Sequence, residues 1–160
     1  MEPKFEPLRL GDTRQLHVLL TDPRVAKHMP LADLSVSLDW VESWKKSKSE
    51  QWPDENMGPW VVFIDDRLGG WAGVQPDTET TVELAIVLHT WAWNQGRAVA
   101  LEALRRWKSF GDPREVVIYL PESRDVETIA RRLELSLQTS VVFDGRVFHR
   151  LGIKNSKLEV

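Results

Sequence analysis

The run WNQGRAVALEAL, residues 93–104, holds residue types suited to one kind of chemistry, the holding of an anion. An apolar, strand-like run precedes it, and a helical pattern begins inside it. A strand that feeds a helix through a short loop leaves the first helical N–H groups unpaired, and the positive end of the helix dipole adds to their pull. Gly96 has no Cβ, so a bulky ligand can come close to the backbone there. Asn94 and Gln95 are neutral donors, and Arg97 carries a charge suited to phosphate. Ala98 and Ala100 are small enough to let the helix lie tight on a sheet. The set suits a diphosphate held mainly by backbone. An ordinary strand–helix junction that uses glycine for packing has the same spacing, so spacing alone does not separate the two. The Walker pattern G-x-x-x-x-G-K-[ST] and the dinucleotide pattern G-x-G-x-x-G are both absent.

Further residues stand out by type. Glu83 is an acid in an otherwise apolar strand, TVELAIVLH, where it is either exposed at the strand end or costly to bury. Tyr119, the single tyrosine, lies near the end of EVVIYLP, and Ser123 follows it. Tyr119 reads as an acid or as a packing residue. Ser123 reads as a hydrogen-bonding group for a ligand or, preferably, as the N-cap of the helix in SRDVETIARRLEL. Trp44 lies four residues after Trp40 on one helical face, and Trp52 sits in a polar loop. With the neighbouring Asp54 and Glu55, Trp44 and Trp52 could wall a site for a cation. Trp60, Trp71 and Trp107 fit core positions. The four histidines have no metal-ligand spacing, so no metal is expected, and G-x-S-x-G is absent.

Elements must hold these residues in place. KFEPLRL reads as an edge or bent first strand because of Pro7. TRQLHVLL is a helix, DPRVAKHMP a short turn or helical piece closed by Pro30, and LSVSLDWVESWKKSKSE a second helix. Ser35 or Ser37 is the expected cap of that helix, and Leu38, Val41 and Trp44 its apolar stripe. WVVFIDD and WAGVQPD form a hairpin around residues 67–70, and TVELAIVLH is central. A helix runs to about Phe110, a strand follows, then an amphipathic helix with Val126, Ile129, Ala130 and Leu133 inward. TSVVFDGRVFHRLGI closes the chain as a hairpin turning at Asp144-Gly145. This is a mixed sheet with helices on its faces, an α+β domain.

The chain of 160 residues fits one domain over 1–160. Its 21 basic and 24 acidic residues give a charge of −3, which argues against a nucleic-acid partner. The absence of cysteine excludes disulfides and thiolate metal sites. No run reaches membrane-spanning length and the N-terminus lacks a signal-peptide pattern, so no membrane partner and a cytoplasmic location are expected.

The stretch ELAIVLHTWAWNQGRAVALEAL, residues 83–104, resembles the GNAT superfamily of N-acetyltransferases. It is most similar to the branch that acetylates ribosomal-protein N-termini, which carries E-L-G-Y-W-L and W-G-x-G-x-A-T-E-A. DPRVAKHMP and RLGGWAGV resemble further segments of that branch in the same order. The resemblance weakens after Pro121, where Ser123 and Ala130 stand in place of the branch's Asn and Tyr. It implies a central, mostly antiparallel twisted sheet flanked by about four helices. It also implies acetyl-CoA as cosubstrate and transfer of the acetyl group to a primary amine by direct attack in a ternary complex. The acceptor would be a protein N-terminus or a small cationic amine, and a homodimer is compatible. The alternative is a catalytically weak module that binds acyl-CoA or a protein partner.

The resemblance assigns roles as well. Trp93, Asn94, Gln95, Gly96, Arg97 and Ala98 would bind the diphosphate. Ile86, Val87 and Leu88 would line the cofactor arm, with an oxyanion donor just after a strand bulge near Ile86 or Val87. By residue type and position, Glu83 is the candidate to take the amine proton, and Tyr119 or Ser123 an acid or cofactor contact. From local charge and aromatic residues, not from the resemblance, a cationic acceptor is expected to enter past Trp44, Trp52, Asp54 and Glu55.

Overall fold

The computed structural model describes residues 2–29 and 32–153. Among them seven strands form one sheet in the order β1-β2-β3-β4-β5-β7-β6. These are β1 (Lys4–Pro7), β2 (Trp60–Ile64), β3 (Arg67–Pro76), β4 (Thr81–Leu88), β5 (Glu115–Pro121), β6 (Leu135–Phe143) and β7 (Arg146–Ile153). All neighbours are antiparallel except β4 and β5. The helices are α1 (Thr13–Leu20), α2 (Pro23–Ala26), α3 (Leu38–Ser49), α4 (Gly96–Ser109) and α5 (Val126–Arg132). Pro30, expected to close the segment after α2, lies outside the described residues.

Two cores follow from strand alternation. Leu84, Leu88, Ala72 and Val74 pack with Val99, Ala103 and Trp107 of α4 on one face. Val87, Trp71 and Val61 pack with Leu16 and Leu19 of α1 and Val41 of α3 on the other. β4 is buried between β3 and β5, as its apolar run requires.

Local chemistry explains where the elements begin. Asp12, Asp22, Ser37 and Asp125 cap α1, α2, α3 and α5 with side-chain oxygens. So Ser123 is not the cap of α5; Asp125 is, accepting from the Thr128 N–H at 3.1 Å. The first hairpin turns at Asp65-Asp66, both at positive φ, rather than around residues 67–70. Gly69 and Gly70 lie inside β3 beside a register shift. Gly70 is needed for close approach, since a Cβ there would lie 2.0 Å from the Val87 carbonyl oxygen. The second hairpin turns at Asp144-Gly145, again at positive φ. α5 is shorter than its apolar pattern suggests, and Val126, Ile129 and Ala130 are only half-buried.

Candidate active site

β4 and β5 pair over three positions, from Thr81↔Glu115 to Glu83↔Val117. Beyond Glu83 they separate, while β4 stays paired with β3 as far as Gly70↔Leu88. The wedge between β4 and β5 opens into a cavity of about 810 Å³ that reaches both faces of the sheet.

Backbone polarity in the wedge can be read from the register. The His89 N–H donates to the Gly69 carbonyl at 2.8 Å, on the β3 side. Successive residues of a strand turn their N–H and C=O groups to opposite edges, so Val87 and Ala85 also face β3. Leu84, Ile86 and Leu88 therefore face the wedge. The Trp93 indole N–H agrees, reaching the Leu88 carbonyl at 3.0 Å from that side. Of the two expected oxyanion donors, Ile86 has its N–H aimed at the wedge and Val87 does not. No bulge produces this. The β3–β4 register is unbroken, and the irregularity lies between β2 and β3 at Val62/Phe63.

The wedge leads to the N-terminus of α4. Among the described α-helices, α4 alone lacks a side-chain cap, because its cap position is Gln95. Gly96 has an ordinary helical φ of −54°, and a Cβ there would meet nothing within 4 Å. Neither backbone conformation nor protein packing requires a glycine at this point, and the open space leaves room for a ligand to approach the backbone. Asn94, Arg97 and Trp93 line the same end of the cavity. The Arg124 guanidinium lies 5.7 Å from the Trp93 ring, and His28 meets that ring edge-on at 5.6 Å. An open Cβ position, uncapped N–H groups and two guanidiniums fit the diphosphate of acetyl-CoA. The wedge-facing N–H and C=O groups of β4 fit its extended amide arm. Gln95 and Ala98 are not among the lining residues, and Ala98 is exposed rather than packed on the sheet; Ala100 fills that role.

Glu83 lies at the apex of the wedge and faces the α3 side. Burial, and then the Asp77 carboxylate, raise its pKa above the ordinary carboxylate value, against the pull of the Lys48 ammonium. Lys48 lines the same cavity. Burial lowers the Lys48 pKa, and Glu83 opposes that shift. The Lys48 ammonium donates to the Gln75 side chain, and Gln75 is the β3 register partner of Glu83. Tyr119 donates its hydroxyl to Asp77 Oδ2 at 3.0 Å, and burial, with that bond, raises its pKa. In this arrangement the Tyr119 hydroxyl is turned to Asp77, whose carboxylate acts on Glu83.

The other expected residues divide. Trp44 lines the cavity. Trp52 does not: it packs in the opposite core 4.9 Å from the Trp107 ring, with its indole N–H on the Val74 carbonyl at 2.7 Å. Asp54 caps the turn at Glu55–Met57 and Glu55 pairs with Arg9 at 2.5 Å, so neither reaches the cavity. Ser123 is on the rim of a neighbouring pocket, sharing a hydrogen bond with His28 Nδ1 at 3.0 Å. Sequence reasoning missed Lys48, Gln75 and Arg124. The signal for Lys48 was available: Trp40, Trp44 and Lys48 repeat at four-residue spacing along one face of α3.

Comparison with known proteins agrees with this geometry. The acetyltransferase (GNAT) domain family matches residues 4–135, and the chain belongs to it. By family it is an acetyl-CoA-dependent N-acetyltransferase. Its structure is similar to that of spermidine N-acetyltransferase from Vibrio cholerae in complex with CoA and spermine. The TM-score is 0.78 at 16% identity, with 98% of each chain covered. It is also similar to a GNAT-family acetyltransferase from Bacillus anthracis, with TM-score 0.70, 11% identity, and 96% of this chain and 95% of that one covered. Another GNAT-family acetyltransferase, from Streptococcus pneumoniae, gives 0.64 at 12%, covering 95% and 98%. A search of curated proteins gave no match. Among the described residues no group of His, Asp and Glu could hold a metal ion, and no helix is long and apolar enough to cross a membrane.

Proposed function

We propose that the chain acetylates the primary amine of a small molecule by direct attack at the β4–β5 wedge. The observation that carries this reading is a half-buried carboxylate, Glu83, at the apex of a wedge whose wall presents the Ile86 N–H. The α3 side of the cavity, walled by Trp40, Trp44 and Trp71, supports a small acceptor.

When bound, acetyl-CoA supplies a thioester whose C–S bond breaks as the new N–C bond forms, its sulfur leaving and ending as a thiol. An alkyl ammonium has a pKa of about 10 and arrives protonated. Glu83 removes one proton to free the lone pair, and its raised pKa brings it nearer to the working pH of a general base. The Ile86 N–H faces the acetyl oxygen as negative charge builds on it. Tyr119 acts as a positioning residue, fixing Asp77 and through it the charge felt by Glu83.

Thiol release from acetyl-CoA, with mass spectrometry of the amine, tests this across a panel of primary amines. The expected result is one acetylated amine per thiol released. Tight CoA binding without acetylation of any amine would instead mark a binding module.

A further inference from the structure

The part of the cavity on the α3 side is where the acceptor must sit, and its lining is specific. Trp40 and Trp44 of α3 are stacked with ring centroids 6.4 Å apart, and Trp44 meets Trp71 of β3 edge-on at 5.4 Å. Both α3 tryptophans, Trp71, Val36 and Met29 line the chamber. An aromatic row of this kind suits an apolar or aromatic body.

At the end of the row stand two opposite charges. The Lys48 ammonium lies 5.7 Å from the Trp71 ring centroid, and Glu83 lines the same chamber. They do not pair directly: among the described residues, the ion pairs within 4.0 Å do not include Lys48 with Glu83. Lys45, three residues earlier, shows the contrast. It is buried, pairs with Glu42 at 3.1 Å, and donates to the Gly11 carbonyl and the Thr13 hydroxyl. Lys45 is a satisfied structural cation, whereas Lys48 is a half-buried cation facing a ligand chamber. Asp77 accepts from Tyr119 and Thr81, and Asp33, the other acid lining the chamber, accepts from Ser35, which favours its charged form.

A polyamine would meet Asp33 and Glu83 here but also a lysine that repels it. A free α-amino acid matches both charges, because its ammonium and carboxylate leave the same carbon while its side chain diverges. Resting on the acetyl-transfer reading above, we propose that the acceptor is a free α-amino acid with an aromatic or large aliphatic side chain. Its α-ammonium faces Glu83, its carboxylate faces Lys48, and its side chain lies against Trp44 and Trp71. The transfer consumes the ammonium and the thioester, and yields the N-acetyl amino acid, the thiol and one released proton.

Four probes test this with acetyl-CoA: L-phenylalanine, L-phenylalaninamide, phenethylamine and spermidine. The expected kcat/KM is highest for L-phenylalanine, by about tenfold or more over the amide and the amine, as removal of one charge-assisted contact implies. Lys48→Gln should raise KM for L-phenylalanine about tenfold and lower it for phenethylamine, which loses a repelling neighbour. Lys48→Arg, which restores the charge, should recover the original preference. Calorimetry with CoA present gives a readout apart from turnover, in which L-phenylalanine binding weakens in Lys48→Gln and returns in Lys48→Arg. Preference for spermidine, phenethylamine or the amide would overturn the amino-acid assignment and leave acetyl transfer standing. Absence of thiol release with every amine, despite CoA binding, would overturn both.

Discussion

The two edges of β4 do different work. Toward β3 it is paired without a break from Pro76↔Val82 to Gly70↔Leu88; toward β5 the pairing stops at Glu83↔Val117. One edge joins the sheet and the other presents open backbone to a cavity. A single strand can do both because its N–H and C=O groups alternate between edges. Glu83 lies where the second edge stops pairing, so its position in the sheet and its place in the proposed chemistry have the same origin.

The largest effect should come from damaging the paired edge. Gly70→Ala would place a Cβ 2.0 Å from the Val87 carbonyl oxygen. The expected loss is about 3 kcal/mol, a fall in Tm of about 6–12 °C by thermal denaturation. A wild-type Tm would mean that the β3–β4 contact is looser than described.

Damage at the open edge should spare the fold and remove binding. Gly96→Glu puts bulk and negative charge where a diphosphate would lie, at a position with no protein atom within 4 Å of a Cβ. A carboxylate in the first turn of α4 also favours the helix dipole, so Tm should hold or rise slightly. CoA affinity by calorimetry should drop by about a hundredfold, or ~2.7 kcal/mol. A folded variant that binds CoA like wild type would remove the phosphate loop from α4.

Glu83 links the edges through its protonation. Its folded pKa is raised, so the favourable contribution of its protonated form is fully present below the unfolded value and is lost as pH rises through the folded one. Glu83→Gln cannot ionise, and so should raise Tm by about 2–4 °C at neutral pH. The gain should shrink as pH falls through the raised folded pKa and be gone below the ordinary carboxylate value of 4.5. A gain that is constant with pH would mean that Glu83 pays no cost of burial.

The smallest effect should come from Asp54→Asn with Glu55→Gln. Asp54 caps a surface turn and Glu55 pairs with Arg9, away from the cavity. The acceptor KM should stay within about twofold of wild type at low salt. A clear rise at low ionic strength would restore the acidic loop as the route of entry.

Much of the fold was legible because its signals are local. The apolar run of β4, the turn at Asp144-Gly145 and the Ser37 cap follow from a few adjacent residues. The acceptor side was legible only in part, because it depends on which sheet face a loop residue reaches. Trp52, Asp54 and Glu55 look like a site in a polar loop, yet the chain carries Trp52 to the α4 face and the acids to Arg9. Lys48 was hidden by the opposite difficulty: its helical register with Trp44 is visible, but its meeting with Glu83 depends on α3 lying across β3 and β4.

The central claim is that Glu83 is the proton acceptor at the apex of the wedge. The most direct test is kcat for Glu83→Gln against wild type across pH, with CoA affinity measured in parallel. The account predicts a fall in kcat of about a hundredfold at neutral pH, little change in CoA affinity, and loss of the acid limb that wild type shows as Glu83 protonates. An undiminished rate across the whole pH range, with a good acceptor in hand, would contradict it.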